Sequence, residues 1–217
     1  MDRIKRIASF CEGSKVVCDI GCDHAYALML AIKEHGVERG IAADIAEGPL
    51  LNAKKTIEEY HLDTQIKTIL SDGFDAISGS DFDTAILAGM GGILMCEILK
   101  RGLPKIKGKR LIIEANSDTY RIRKLLSSYG FYIVEEDALY DHGKYYEILV
   151  FEEGNSCYDT LDILYGPHLR RTKPQAFIKY YQKKLDLLSS ILLQIKDEKE
   201  KEEKLSLYKE IESILEG

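Results

Sequence analysis

Between Val16 and about Glu152 short apolar runs alternate with helical patterns, and this alternation restricts the fold more than any other feature. The runs are KVVCDI (15–20), GIAADI (40–45), QIKTIL (65–70), DTAILAG (83–89) and KRLIIEA (109–115). One helical pattern covers about 25–35 and is closed by Gly36. Another is opened by Gly48 and Pro49, since proline suits the first helical position. Two more lie near 92–101 and 118–129. Strand and helix taking turns predicts a parallel sheet covered on both faces. The order breaks at the end, where FYIVEEDALY and KYYEILVFEE are strands in direct succession around an Asp141-His142-Gly143 turn.

An α/β sheet that finishes in an antiparallel hairpin is narrower than a generic nucleotide-binding fold. Class I methyltransferases end in this way. The expected fold is therefore a Rossmann-like, doubly wound class I methyltransferase sheet over residues 1–153. A C-terminal helical, coiled-coil-like domain is expected over 154–217. In that tail GNSCYD reads as a connector and Pro174 begins a long helix. Phe177, Tyr181, Leu185, Leu188, Leu192 and Ile195 step by fours and threes, close to a coiled-coil seam. KDEKEKEEK (196–204) carries no apolar residue, and a second stripe follows at Leu205, Tyr208, Ile211 and Leu215. Two helices folded into an antiparallel pair are expected, with one continuous helix as the alternative.

The 217 residues suffice for such a sheet plus an appendage. No apolar run has the length of a bilayer span, and the first residues, MDRIKRIASFCEG, lack an apolar signal core, so a cytoplasmic protein is expected. Cys11, Cys18, Cys22, Cys96 and Cys157 are odd in number and contain no CxxC pair. That argues against a disulfide framework and a zinc site, so no metal is expected.

The strongest local signal is CDIGCDHAYA (18–27), where a buried strand ends at Asp19-Ile20-Gly21 just before a helix. Doubly wound sheets bind nucleotides at this place. Glycine admits a ligand to the backbone, and the helix start offers free amides. A dinucleotide fingerprint would need a second glycine where Asp23 stands. An acid there repels a pyrophosphate and suits a cationic ligand such as S-adenosylmethionine. Asp44 ends the second strand, placed to accept from ribose hydroxyls, and Asp72 of Ser71-Asp72-Gly73 follows the third, placed to accept from an adenine amino group. Each alone reads as a surface acid or a helix cap. Acids at the ends of three successive strands together carry the cofactor reading. Ala88-Gly89-Met90-Gly91-Gly92 follows the fourth strand and offers close backbone approach. It replaces the Asn/Asp-Pro-Pro expected of enzymes that methylate exocyclic base amines.

With DIGCDHAY (19–26), IAADIAEGP (41–49), SDGFD (71–75), ILAGMGG (86–92), KYYEILVFE (144–152) and Gly-Pro-His-Leu (166–169) on the page, the chain resembles a known family. It is similar over nearly its whole length to the bacterial tRNA adenine-N1 methyltransferases that modify adenine 22. The resemblance implies S-adenosylmethionine as donor, tRNA as partner, and a helical tail that helps hold it. It implies a cofactor site of Asp19, Gly21, Asp23, His24, Ala25, Asp44, Asp72, Gly73, Ala88, Gly89, Met90 and Gly91. Asp23, His24 and Asn116 are the candidates on the target side, with His24 equally readable as a helix cap. Tyr26 could stack a flipped base or belong to the core. One departure stands out: Glu114-Ala115 precedes Asn116 where the family has Gln-Pro-Asn.

The net charge of −6 counts against a general polyanion binder, but its distribution is uneven. Lys100, Arg101, Lys105, Lys107, Lys109 and Arg110 form one acid-free run. Arg170, Arg171, Lys173, Lys179, Lys183 and Lys184 form another, interleaved with Tyr180 and Tyr181. Phosphates need such local clusters, and the second run opens the appended helices, so it is the expected RNA grip. The first run reads as a solvated face. The expected activity is S-adenosylmethionine-dependent methylation of adenine N1 in tRNA, by a protein read as a monomer. Two other readings stay open: a small-molecule methyltransferase on the same fold, and a non-catalytic RNA-binding or assembly protein.

Overall fold

The computed structural model describes residues 2–216. Helix α1 (Asp2–Ser9) precedes strand β1 (Val16–Ile20), and the expected alternation follows. It runs α2 (Tyr26–His35), β2 (Arg39–Asp44), α3 (Glu47–Glu59), β3 (Ile66–Leu70), β4 (Thr84–Met90), α4 (Gly92–Ile106), β5 (Arg110–Ala115) and α5 (Thr119–Ser128). Strands β6 (Phe131–Asp141) and β7 (Lys144–Glu153) close the sheet, whose order is β3-β2-β1-β4-β5-β7-β6. Strands β1 to β5 pair in parallel, while β7 is antiparallel to both β5 and β6. The strand order reverses beside β1, which opens a crevice at the strands' carboxyl ends.

Local sequence explains the punctuation. Gly36 closes α2 in the left-handed region, at φ 73°. The β6–β7 hairpin turns on His142 (φ 48°) and Gly143 (φ 79°), a pair of positive φ values that marks a type I′ turn. Helix α4 runs to Ile106, past the expected end near 101, and contains Pro104. Its Gly102 is packed face-on against Phe74, where a Cβ would stand 2.4 Å from the ring.

Two apolar layers cover the sheet. Leu28, Ala42, Ile57, Ile86 and Ile112 belong to one, and Ile41, Phe74, Leu87, Leu99, Ile113 and Phe151 to the other. A third cluster joins helices α6 (Thr160–Tyr165), α7 (Pro167–Thr172), α8 (Gln175–Leu192) and α9 (Glu198–Glu216). Helices α8 and α9 are antiparallel: Lys173 Nζ, just before α8, donates to the Leu215 carbonyl at the end of α9, 3.1 Å away. Phe177, Tyr181, Leu185 and Leu188 meet Ile211 and Ile214. The seam loosens toward the connecting turn, where Leu192 and Ile195 are half-buried and Leu205 is exposed. Most of the acidic run 196–204 lies in the first turns of α9, its polar side chains facing water.

The helices are tied to the sheet through buried charge. Arg123 on α5 is completely buried and donates to Glu136 of β6 and Glu147 of β7, each at 2.7 Å. Glu136 also accepts the backbone N–H of His168 at 2.9 Å. Burial pushes the Glu136 carboxyl up, and the Arg123 guanidinium opposes that. Among the described residues no helix is long and apolar enough to cross a membrane.

Candidate functional site

A cavity of about 320 Å³ opens over the carboxyl ends of β1 and β4. Asp19, Gly21, Cys22, Asp23, His24, Tyr26 and Ala27 form one side, Ala88 and Gly89 another, and Arg3, Ile4 and Ile7 of α1 a third. The chain leaves β1 through Gly21 at φ 77°, with its amide donating to the Ala43 carbonyl of β2 at 2.8 Å. A side chain there would meet strain and the Met90 methyl, 3.1 Å from the Cβ position. Ala25, at φ 54° and buried, completes the turn into α2.

Asp19 is buried in this cavity, and burial, followed by the negative charge of Asp44, pushes its carboxyl up to about 7. No described residue donates a hydrogen bond to it. Asp44 accepts the Ala46 amide at 2.9 Å. Asp23 is exposed, with Asn52 Nδ2 3.5 Å from one oxygen and His24 Nε2 3.6 Å from the other. The His24 ring stacks on Tyr26, with centroids 5.3 Å apart and planes within 9°. Ala25 is the N-cap of α2 and no side chain caps it, so His24 has no capping role. Tyr26 is half-buried and lines the cavity wall.

Of the cofactor candidates, Ala25, Asp44, Asp72, Gly73, Met90 and Gly91 lie outside this lining. Asp72 is held in a fork by Arg101 of α4, at 2.7 and 2.9 Å, and that guanidinium keeps its carboxyl below the usual range. Gly73 (φ 57°) follows it, packed on Ile98. Met90 bridges β4 to Gly21, and Gly91 is the N-cap of α4.

Strand β4 bulges at Gly89: Ala88 pairs with Glu114 and Met90 with Ala115, leaving Gly89 outside the ladder. Asn116 Nδ2 donates to the Gly89 carbonyl at 2.6 Å, and Lys144 Nζ donates to Asn116 Oδ1 at 2.8 Å. The Gly89 amide donates to Glu114 at 3.1 Å, and Arg3 is paired with the same carboxylate. The departure at Glu114 thus places a buried carboxylate at the bulge with a cation brought by α1. Asn116 also borders a groove of about 510 Å³ that runs past Lys144 and Tyr145 to Tyr180 and Lys184 of α8. Tyr145 and Tyr180 are stacked there, with centroids 4.1 Å apart.

The basic run divides in two. Arg170 pairs with Asp159 and Asp162, Arg171 Nη2 lies 2.9 Å from His168 Nδ1, and Lys173 caps α9, so all three are engaged within the protein. Lys179 and Lys183 lie over the Tyr140 ring near the hairpin tip, and Lys184 over Tyr181. Sequence reasoning missed Arg3, Ile4 and Ile7 as cavity walls, and Lys144 and Glu114 as bulge anchors. The amphipathic spacing of Arg3, Ile4 and Ile7 was the signal that could have found α1. Four of the five cysteines are buried and Cys157 is exposed. Burial pushes the Cys11 thiol up to about 12.

Known proteins share this architecture and sequence. The family model described as tRNA (adenine(22)-N(1))-methyltransferase matches residues 17–216. The tRNA (adenine(22)-N(1))-methyltransferase of Bacillus subtilis is 34% identical over 221 residues, covering 99% of this chain and 93% of that relative. A Streptococcus pneumoniae structure in complex with S-adenosyl-L-methionine superposes with a TM-score of 0.91 at 31% identity, over 99% of both chains. The M. capricolum TrmK structure with S-adenosyl-homocysteine gives a TM-score of 0.86 at 26% identity, over 100% of this chain and 97% of that one. The match reaches from the first strand to the last helix, and the chain belongs to the tRNA (adenine(22)-N(1))-methyltransferase family.

Proposed function

We propose that this protein transfers a methyl group from S-adenosylmethionine to N1 of adenine 22 in tRNA. Residues 1–153 carry the chemistry and residues 154–217 hold the RNA. The observation that carries the reading is Asp19, a buried carboxylate without a hydrogen-bond donor beside Gly21 and the Gly89 bulge. A buried acid in this state is expensive alone and is matched by a cationic ammonium. The residues fit the cofactor: Asp19 for its ammonium, Asp44 for the ribose hydroxyls, and Gly21, Ala25, Ala88, Gly89 and Gly91 for close backbone approach. Asp72 and Gly73 stand at the adenine end, and Met90 packs beneath Gly21.

When bound, S-adenosylmethionine supplies an electrophilic methyl group. Adenine N1 presents a neutral lone pair, so the protein needs no general base and no metal. Its task is to hold N1 in line, a positioning effect that reaches several kcal/mol in favourable cases. Because N1 lies on the pairing edge, the base must leave its helix first. Asn116, fixed between Gly89 and Lys144, and the rim pair Asp23 and His24 form the target side. The Asp23 carboxylate opposes the positive charge that develops on the product base.

The groove from Asn116 to Lys184 supports a path for the RNA strand toward α8. Lys144 and Lys184 meet phosphates along it and Lys179 and Lys183 meet them beside the hairpin tip, while Arg170 and Lys173 maintain the arm itself. This reading makes the protein a cytoplasmic enzyme acting on tRNA. Calorimetric titration with S-adenosylmethionine tests the cofactor half. Saturable binding is expected, and no heat at high protein concentration would overturn it and leave the RNA-binding reading.

A further inference from the structure

The bulge at Gly89 is held by side chains from the neighbouring strand. Glu114 accepts the Gly89 N–H at 3.1 Å, and Asn116 Nδ2 donates to the Gly89 carbonyl at 2.6 Å. This one residue lines the donor cavity and is bonded to Asn116 of the proposed target side. Its N–H anchor is a completely buried carboxylate, with one oxygen, Oε1, that has no partner among the described residues. Such a group needs a cation or it must protonate. The charged groups facing it are Arg3 from α1 and Lys144 from β7, the Gly89 N–H being its third, uncharged support. Lys144 is already bonded to Asn116 and lies over the Tyr146 ring, 4.9 Å from its centroid. Arg3 covers the same ring at 4.8 Å and is the ion-pair partner of Glu114.

We infer that Arg3 is a positioning residue for methyl transfer: by neutralising Glu114 it keeps the Gly89 backbone in the orientation the target base meets. Helix α1 is thereby part of the reactive centre. The inference rests on reading the cavity as the methyl-donor site.

The test compares the full-length wild type, Arg3→Met, and Arg3→Met/Glu114→Gln. Two readouts are used: steady-state methyl transfer to unmodified tRNA, and hydrogen exchange of the Gly89 amide. In Arg3→Met, kcat is expected to fall about tenfold or more, because small misplacements at a reacting centre are costly. Because Arg3 also borders the cavity, kcat is read at saturating S-adenosylmethionine. The loss grows as pH rises, because a buried carboxyl without its cation is tolerated protonated and not ionised. Protection of the Gly89 amide drops in step. The double variant is expected to recover most of the kcat and the protection, since a glutamine oxygen still accepts from Gly89 and requires no cation.

Wild-type kcat and Gly89 protection in Arg3→Met would overturn the inference, as would a double variant as impaired as the single one. Should Arg3→Met fail to fold, the double variant decides: folded and active upholds the inference, folded and inactive overturns it. A wild type that methylates no tRNA would overturn the proposed function instead, and Gly89 exchange in the variants would then decide the inference alone.

Discussion

Gly166 lies so close to Glu136 that a Cβ at residue 166 would stand 2.6 Å from both carboxylate oxygens. The same Cβ would stand 2.8 Å from an Arg123 nitrogen, and Gly166 itself is at φ 87°. The Gly-Pro-His-Leu element is therefore shaped to the buried charges that join the helical arm to the sheet. Glycine leaves room, proline starts α7, and the next amides satisfy Glu136.

Replacing that glycine separates the arm's role from the pocket's. Gly166→Ala is expected to cost about 1–3 kcal/mol through overpacking and backbone strain. tRNA affinity should fall while S-adenosylmethionine binding persists. Denaturant unfolding and two binding titrations check this; an unchanged tRNA affinity in a destabilised variant would show that arm placement is immaterial.

Asp19 predicts a pH signature. Its carboxyl is up to about 7 in the folded protein without ligand, so it is mostly protonated below that and ionised above. A cationic ligand favours the ionised form. Affinity for S-adenosylmethionine should therefore rise with pH through about 7 and then level, with proton release on binding below that point. Asp19→Asn should flatten the profile and weaken binding by about 10–100-fold, the scale of a lost charged hydrogen bond. The stability sign is opposite. A raised carboxyl stabilises the fold below its unfolded value near 4 and loses that contribution as pH rises through about 7. The ligand-free asparagine variant should therefore melt higher at pH 8, by about 2–4 °C per kcal/mol regained.

Asn116→Ala should leave cofactor binding in place and lower kcat by about 10–100-fold, because it frees the Gly89 carbonyl and the Lys144 ammonium together. Single-turnover transfer with saturating tRNA measures it. A loss confined to S-adenosylmethionine affinity would move Asn116 to the cofactor side.

Charge reversal at Lys179, Lys183 and Lys184 should weaken tRNA binding by about tenfold or more and flatten its salt dependence, as expected when phosphate contacts are lost. Reversal at Arg170 should act mainly on stability, because Asp159 and Asp162 already hold it. Equal salt slopes before and after the triple change would move the RNA to another face.

Much of this is legible in the sequence. Hydrophobic alternation points to the sheet, Gly36 to the end of α2, His142-Gly143 to the hairpin turn, and Asp19-Ile20-Gly21 to the end of β1 where the cavity opens, because these signals are local. Long-range pairing was not legible. Arg3 reaches Glu114 across 111 residues, and Arg101 of α4 occupies Asp72 in the loop after β3. Arg170 read as a free cation until α6 brought Asp162 beside it. A charge run shows how many cations exist and not which are already paired. Likewise Glu114 read as a departure from the family, when its meaning depended on a helix at the other end of the chain.

The central claim is tested most directly by transferring labelled methyl from S-adenosylmethionine to unmodified tRNA and mapping the labelled nucleoside. The account predicts 1-methyladenosine at position 22, formed more slowly when Asp19 or Asn116 is replaced. Label on another atom or another nucleotide, or transfer only to small molecules, would contradict it.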